Sequence, residues 1–180
     1  MTGLATLYRT VEAVTRWVAL AGACFLFAAT VLTVVDIVLR GTVGVAVLGT
    51  VDLMQLCVVT AAFTAIPYAF MVAAHVSVDL ATDRLPPRGL AVFKLVAALA
   101  GAVVMAAIGR YGWQTAMRQI GYGDTSQTLG LPIALYWTPL LAGCALAVLA
   151  TVVIALAEGA AIVTGRHPAP PRGPDLEPYE

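Results

Sequence analysis

Four long apolar stretches, separated by short polar segments, dominate the pattern of the chain. They cover residues 17–39, 53–74, 90–114 and 132–157. Each has about the 20 mostly apolar residues that an α-helix needs to cross the hydrocarbon core of a bilayer. Lys94 and Arg110 interrupt the third stretch only near its ends, where long cationic side chains reach the headgroups. The pattern predicts an all-α integral membrane protein with four transmembrane helices.

The segment before the first stretch has its own helical periodicity. Its apolar residues are Leu4, Leu7, Val11, Val14 and Val18. Charged residues occupy the other side, at Arg9, Glu12 and Arg16. This spacing favours an N-terminal interfacial amphipathic helix, with a frayed cytoplasmic tail as the alternative.

No soluble domain interrupts the apolar stretches, so residues 1–165 are predicted to form a single four-helix transmembrane domain. Residues 166–180 contain five prolines among charged residues, which predicts a disordered cytoplasmic tail. The first stretch ends at Asp36 and Arg40 rather than at a small-residue cleavage site, so it is expected to remain in the membrane and not to be removed as a signal peptide.

The distribution of Lys and Arg predicts the orientation, because cytoplasmic loops carry an excess of these residues. One side of the predicted membrane has seven of them: Arg9, Arg16, Arg84, Arg88, Lys94, Arg166 and Arg172. The other side has three: Arg40, Arg110 and Arg118. Both termini are therefore predicted to be cytoplasmic, with loops 40–52 and 117–131 on the periplasmic side.

Composition narrows the possible functions. The chain is 61% hydrophobic and 11% charged, and ten Lys+Arg balance ten Asp+Glu. A neutral chain has no field that would attract nucleic acid. His75 and His167 cannot form a pair of haem ligands on facing helices, and no catalytic triad, metal-binding motif or phosphate loop is present. We expect no enzymatic activity, no metal and no cofactor in this chain.

The predicted spans lack charges near their centres, where a transporter that works alone usually keeps its site. They do present small residues at four-residue spacing. On one face of the last predicted helix these are Gly143, Ala147, Thr151, Ala155 and Gly159, and in the third span they are Ala98, Ala102 and Ala106. Small residues let membrane helices approach closely. The stripe is expected to pack within this bundle, to dock a second membrane protein, or both.

Three marks along the chain resemble a known family. The first is Asp36-Ile37-Val38-Leu39-Arg40, followed by Asp52 at the start of the second span. The second is Ala74-His75-Val76-Ser77-Val78-Asp79, followed by Leu85-Pro86. The third runs from Gly123 to Pro132, with Trp137 and Pro139 just after it. Their order resembles the small membrane subunit of tripartite ATP-independent periplasmic (TRAP) transporters, the DctQ-like family, although that family often has Glu at the position of Asp52.

The resemblance implies a non-catalytic scaffold subunit in a bacterial inner membrane. Its partners would be a large TRAP membrane subunit, which holds the substrate and sodium sites, and a periplasmic substrate-binding protein. The complex would take up an organic acid anion on the sodium gradient. Two alternatives remain from other classes: a self-contained homo-oligomeric transporter or channel, and the membrane anchor of a redox complex.

Physical roles follow for the recognised residues, as hypotheses. Asp36 and Arg40, one turn apart, are expected to pair at the outer interface, either as an ordinary ion pair or as a subunit contact. His75, Asp79 and Arg84 belong to a segment expected to lie at the cytoplasmic surface, with a solvated turn as the alternative. The outer residues expected to contact a partner, or only water, are Arg40, Asp52, Arg110, Arg118 and Asp124.

Overall fold

The computed structural model describes residues 2–72 and 87–164. These residues form four helices: α1 (Thr2–Thr42), α2 (Thr50–Met71), α3 (Pro87–Tyr122) and α4 (Ala134–Thr164). Each is long and apolar enough to cross a membrane, which confirms the predicted fold class. His75, Asp79, Arg84 and residues 166–180 lie outside the described residues, and what was predicted for them stays a prediction.

Helix α1 joins the N-terminal segment to the first span without a break. Its 41 residues make it about 60 Å long, and it contains no proline that would interrupt it. Tyr8 and Val11 are buried in a cluster with Met71 of α2 and with α4, and the Tyr8 hydroxyl donates to the Met71 carbonyl at 3.2 Å. One side of the N-terminal segment therefore packs along the bundle, whereas Leu7 is 44% exposed.

The helices pack in the spatial order α1, α2, α4, α3, with α1 also touching α4. Helices α2 and α4 begin at the end of the bundle where α1 and α3 finish. We call this end, comprising residues 40–52 and 119–137, the loop end. Helix α4 contacts all three other helices and is the most enclosed, and Ala147, Ala150 and Thr151 have no exposed surface.

Glycines mark the closest approaches between helices. A Cβ atom on Gly22 of α1 would overlap Thr64 of α2, and one on Gly143 of α4 would overlap the backbone carbonyl of Phe63, also in α2. On the other side of α4, a Cβ on Gly112 of α3 would come within 3.3 Å of Trp137. Lipid provides no hydrophobic drive between helices, so this close van der Waals contact is what holds them together.

The contact face of α3 differs from the alanine stripe expected in the third span. Ala98 is buried, but Ala106 is exposed. The packed face continues instead through Gly101, Met105 and Gly112. A strict four-residue repeat drifts around a helix of 3.6 residues per turn, so over the two turns from Ala98 to Ala106 the stripe rotates away from α4.

Candidate functional site

Two buried carboxylates organise the loop end, and the first is Asp36. It is 6% exposed although it lies in the last turns of α1. Its Oδ1 accepts the backbone N–H of Val47 at 2.7 Å, and its Oδ2 accepts from Arg40 Nη2 at 2.7 Å. The Thr50 hydroxyl, at the start of α2, donates to the Val47 carbonyl at 2.9 Å, so Val47 is held from both sides. Asp36 therefore ties the end of α1 to the loop that begins α2.

The ion pair predicted between Asp36 and Arg40 is present, but the two partners have unequal surroundings. The Arg40 side chain is 63% exposed and that of Asp36 is 9% exposed. An exposed ion pair contributes little to stability, whereas a buried N–H that loses its acceptor costs much more. The principal role of Asp36 is therefore to hold Val47, with Arg40 as a minor partner.

This inequality predicts different effects of two substitutions. We expect Asp36→Ala to lower the melting temperature of the detergent-solubilised protein by roughly 5 °C, and Arg40→Gln to lower it by less than about 2 °C. Differential scanning fluorimetry measures both. Equal shifts would show that the ion pair, and not the Val47 contact, is what matters.

The second carboxylate, Asp52, binds a loop distant in sequence. It is 4% exposed, and its Oδ2 accepts the backbone N–H groups of Thr128 at 3.0 Å and Leu129 at 2.8 Å. The Ser126 hydroxyl also donates to it. Two successive N–H groups directed at one oxygen form an anion-binding nest, so a charge at the start of α2 fixes the tip of the α3–α4 loop.

The loop itself is folded back on its own backbone. Ser126 N–H donates to the Leu131 carbonyl at 2.8 Å, and Leu131 N–H donates to the Ser126 hydroxyl at 2.9 Å. That hydroxyl thus accepts from one side of the loop and donates to Asp52. Gly49, whose φ is +81°, lies against the Leu129 side chain, and the positive φ explains why glycine is suited to this position. The loop is preformed.

Beneath this loop lies a partly open cavity of about 570 Å³ between α2, α3 and α4. Its upper wall contains Asp52, Gln119 and loop residues 125–128, and its lower wall contains Val59 and Leu140. Tyr136 and Trp137 form part of the side; the Tyr136 hydroxyl donates to the Asp52 carbonyl at 3.1 Å. The cavity therefore changes from polar to apolar with depth.

The remaining predicted residues lie elsewhere. Arg110 and Arg118 are exposed on α3, and Asp124 is exposed at the start of the loop. Asp124 still orders that loop through its backbone carbonyl, which accepts from Ile133 N–H at 3.2 Å. Gly143 and Ala147 are buried inside the chain's own bundle, against α2 and α3. The structure thus groups Asp52 with the loop that follows Asp124, and Asp36 with Arg40.

Several residues that matter here were not selected from the sequence. Gln119 Oε1 accepts from Trp137 Nε1 at 2.6 Å, which locks α3 to α4. Glu158, near the far end of α4, is 5% exposed. Only its isolation, as the one acidic residue within α4, set Glu158 apart in the sequence. Gln119 has no such signal, because its partner is 18 residues away along the chain.

Metal ligands are not clustered in the described ranges, 2–72 and 87–164: no group of three or more His, Cys, Asp or Glu side chains there could hold an ion. The arrangement at the loop end is one of buried acceptors that fix backbone donors. Such an arrangement orders the loops and shapes the surface that they form.

Comparison with known proteins gives one match. The family model described as "Tripartite ATP-independent periplasmic transporters, DctQ component" matches residues 29–161. No curated protein and no solved structure matches the chain. The matched range includes Asp36, Asp52, the loop that Asp52 holds, and most of α4. The chain therefore belongs to the DctQ family, the small component of TRAP transporters, and is a multi-pass membrane protein.

Proposed function

We propose that this chain is the non-catalytic scaffold subunit of a TRAP transporter in a bacterial inner membrane. It supports sodium-driven uptake of an organic acid anion by a large membrane subunit, to which a periplasmic binding protein delivers the substrate. Sodium binds to the large subunit. The family match supports the assignment to a TRAP complex, and the division of labour between subunits is the proposal.

One observation supports a scaffold in preference to a self-sufficient carrier. The four core stretches, residues 17–35, 53–72, 95–109 and 134–157, contain no Asp, Glu, Lys or Arg. A carrier that moves an anion needs charge or broken helices near the membrane centre. The polar groups of the cavity lie at the loop end, and Gln55, the deepest of them in α2, is about 8 Å from the first residue of that helix.

The proposed orientation places both termini in the cytoplasm and the loop end in the periplasm. The preformed loop held by Asp52 then faces the binding protein and the outer parts of the large subunit. A loop that is already ordered loses little conformational entropy when it binds a partner. Such preorganisation is a reason for the two carboxylates to be buried at this end.

Reconstitution tests the proposal. Proteoliposomes containing this chain, the large subunit of its transporter and the binding protein are expected to take up a labelled carboxylate when a sodium gradient is applied. Candidate substrates are C4-dicarboxylates and sialic acids. Omitting this chain is expected to abolish uptake, because the large subunit then lacks its support.

Three results would contradict the proposal. Uptake by this chain alone would make it a self-contained transporter, and a haem spectrum from the purified protein would make it a redox anchor. Failure of the tagged chain to co-purify with the large subunit from native membranes would also overturn the scaffold role. The matched control is the large subunit reconstituted with an unrelated four-helix membrane protein of similar size.

A further inference from the structure

The cavity at the loop end has features that the scaffold role does not require. Its lining includes the Gln55 amide, which is exposed and forms no hydrogen bond with any part of the chain that the structure describes. The Gln119 carbonyl oxygen accepts from Trp137 Nε1, and Gln119 also lines the cavity. A side-chain amide has two N–H donors, so both glutamines can donate to a molecule bound in the cavity.

The residues that line the cavity carry negative charge and no positive charge. Asp52 is the only ionisable acid or base among the residues that line the cavity, apart from the phenol of Tyr136, and no Lys or Arg belongs to that set. Its hydrogen-bond donors are neutral: two backbone N–H groups and the Ser126 and Thr128 hydroxyls. These donors stabilise the carboxylate but carry no formal positive charge, so the field of Asp52 still favours a cationic group nearby.

The change from polar to apolar lining with depth indicates what kind of molecule fits the cavity. Polar groups line the cavity at the level where α2 and α4 begin, and Val59 lies about 14 Å further along α2. Tyr136 and Trp137 lie near the start of α4, as aromatic residues commonly do at a membrane interface. A molecule with a polar head and an apolar tail, oriented along the membrane normal, matches this gradient. The cavity volume of about 570 Å³ is within the usual range for small-molecule sites, roughly 300–1,000 Å³.

We propose that the cavity binds a phosphatidylethanolamine molecule from the leaflet at the loop end. The ammonium group lies in the field of Asp52, the phosphate oxygens accept from the Gln55 and Gln119 amides, and the upper part of one acyl chain lies along Val59 and Leu140. An anionic headgroup without an ammonium, such as that of phosphatidylglycerol, gains nothing from Asp52. The inference depends on insertion of the four helices in a membrane and not on the proposed transport partners.

The test uses the full chain in nanodiscs with equal amounts of phosphatidylethanolamine and phosphatidylglycerol. The protein is extracted with a mild detergent, and the lipid it retains is measured by native mass spectrometry. One phosphatidylethanolamine per chain is the expected result. Gln55→Leu, which removes the amide but keeps the side-chain size, is expected to lower retention about five-fold, as for the loss of one hydrogen bond.

Val59→Phe fills the apolar floor and is expected to lower retention at least as much. Val58→Phe is the matched control, because Val58 is the next residue on the same helix and does not line the cavity. Circular dichroism and gel filtration verify that each variant is folded, and Gln55→Leu keeps the test valid if Val59→Phe does not fold. Equal retention of both lipids, no retained lipid, or loss in the Val58→Phe control equal to that in Val59→Phe would each overturn the proposal.

Discussion

Asp52→Ala is expected to release the α3–α4 loop and to lower the melting temperature of the purified protein by roughly 5–10 °C. The substitution removes the acceptor of the Thr128 and Leu129 N–H groups at 3.0 and 2.8 Å and of the Ser126 hydroxyl. These donors would then have to find water or remain unpaired. Scanning fluorimetry gives the stability, and limited proteolysis reports the freed loop through cleavage between Asp124 and Pro132.

Asp124→Ala is the matched control, because it removes the same charge from an exposed side chain in the same loop. We expect it to change the melting temperature by less than about 2 °C. Asp52→Glu tests whether a longer side chain with the same charge can still bind these N–H groups. Because the family often has Glu at this position, we expect Asp52→Glu to be more stable than Asp52→Ala and less stable than the parent protein. If Asp52→Ala and Asp124→Ala had equal effects, the hydrogen bonds to Asp52 would not be what orders the loop.

Gly143→Leu is expected to be the most damaging substitution inside the bundle. Even a Cβ atom at this position overlaps the backbone carbonyl of Phe63, and a backbone atom cannot move aside as a flexible side chain can. Overpacking of this kind costs about 3 kcal/mol or more, or roughly 6–12 °C in melting temperature. Thermal unfolding in detergent measures the loss, and a cysteine cross-link between α2 and α4 reports their separation.

Gly159→Leu provides the control on the same helix, because a Cβ atom at Gly159 meets nothing within 4 Å. It is expected to leave stability within about 2 °C of the parent protein. Gly143→Ala is expected to have an intermediate effect. A similar loss in both leucine variants would indicate a general effect of bulk on α4 and would remove the special role of the Phe63 contact.

Comparison of the spans shows how far hydrophobicity determines the fold. The four apolar stretches predicted the four helices, because the length of an uncharged run is a local property that needs no knowledge of neighbours. Their ends were less predictable. Helix α3 continues to Tyr122, eight residues beyond the predicted end, since Gln114 and Arg118 are good helix formers and nothing breaks the helix before Gly123.

The N-terminal segment likewise shows that the sequence predicts a helix more readily than where that helix ends. Its helical periodicity was visible in the sequence, and the segment is helical. Whether that helix would be separate from the first span depended on what Tyr8 and Val11 would contact. They pack with Met71, Val153 and Ala157, residues that are distant in sequence. This contact keeps the N-terminal segment in line with the first span, so that the two form one helix.

The candidate site was predictable only in part. The sequence identified Asp36, Arg40 and Asp52 as charged residues at the membrane boundary, and the pairing of Asp36 with Arg40 followed from their spacing of one turn. It did not identify Val47 as the more important partner of Asp36. That contact closes a loop of eleven residues whose conformation depends on several turns at once.

The sequence by itself thus determined the class of the protein, because membrane insertion responds to the summed hydrophobicity of each run and to the placement of its charges. The order and spacing of its polar marks likewise indicated the DctQ family, which residues 29–161 match. Only the tertiary structure decided what Asp52 does, since its donors at residues 128 and 129 are 76 and 77 positions away along the chain. Hydrogen bonds of that span, and the cavity that they roof, exist only when α2, α3 and α4 have packed together.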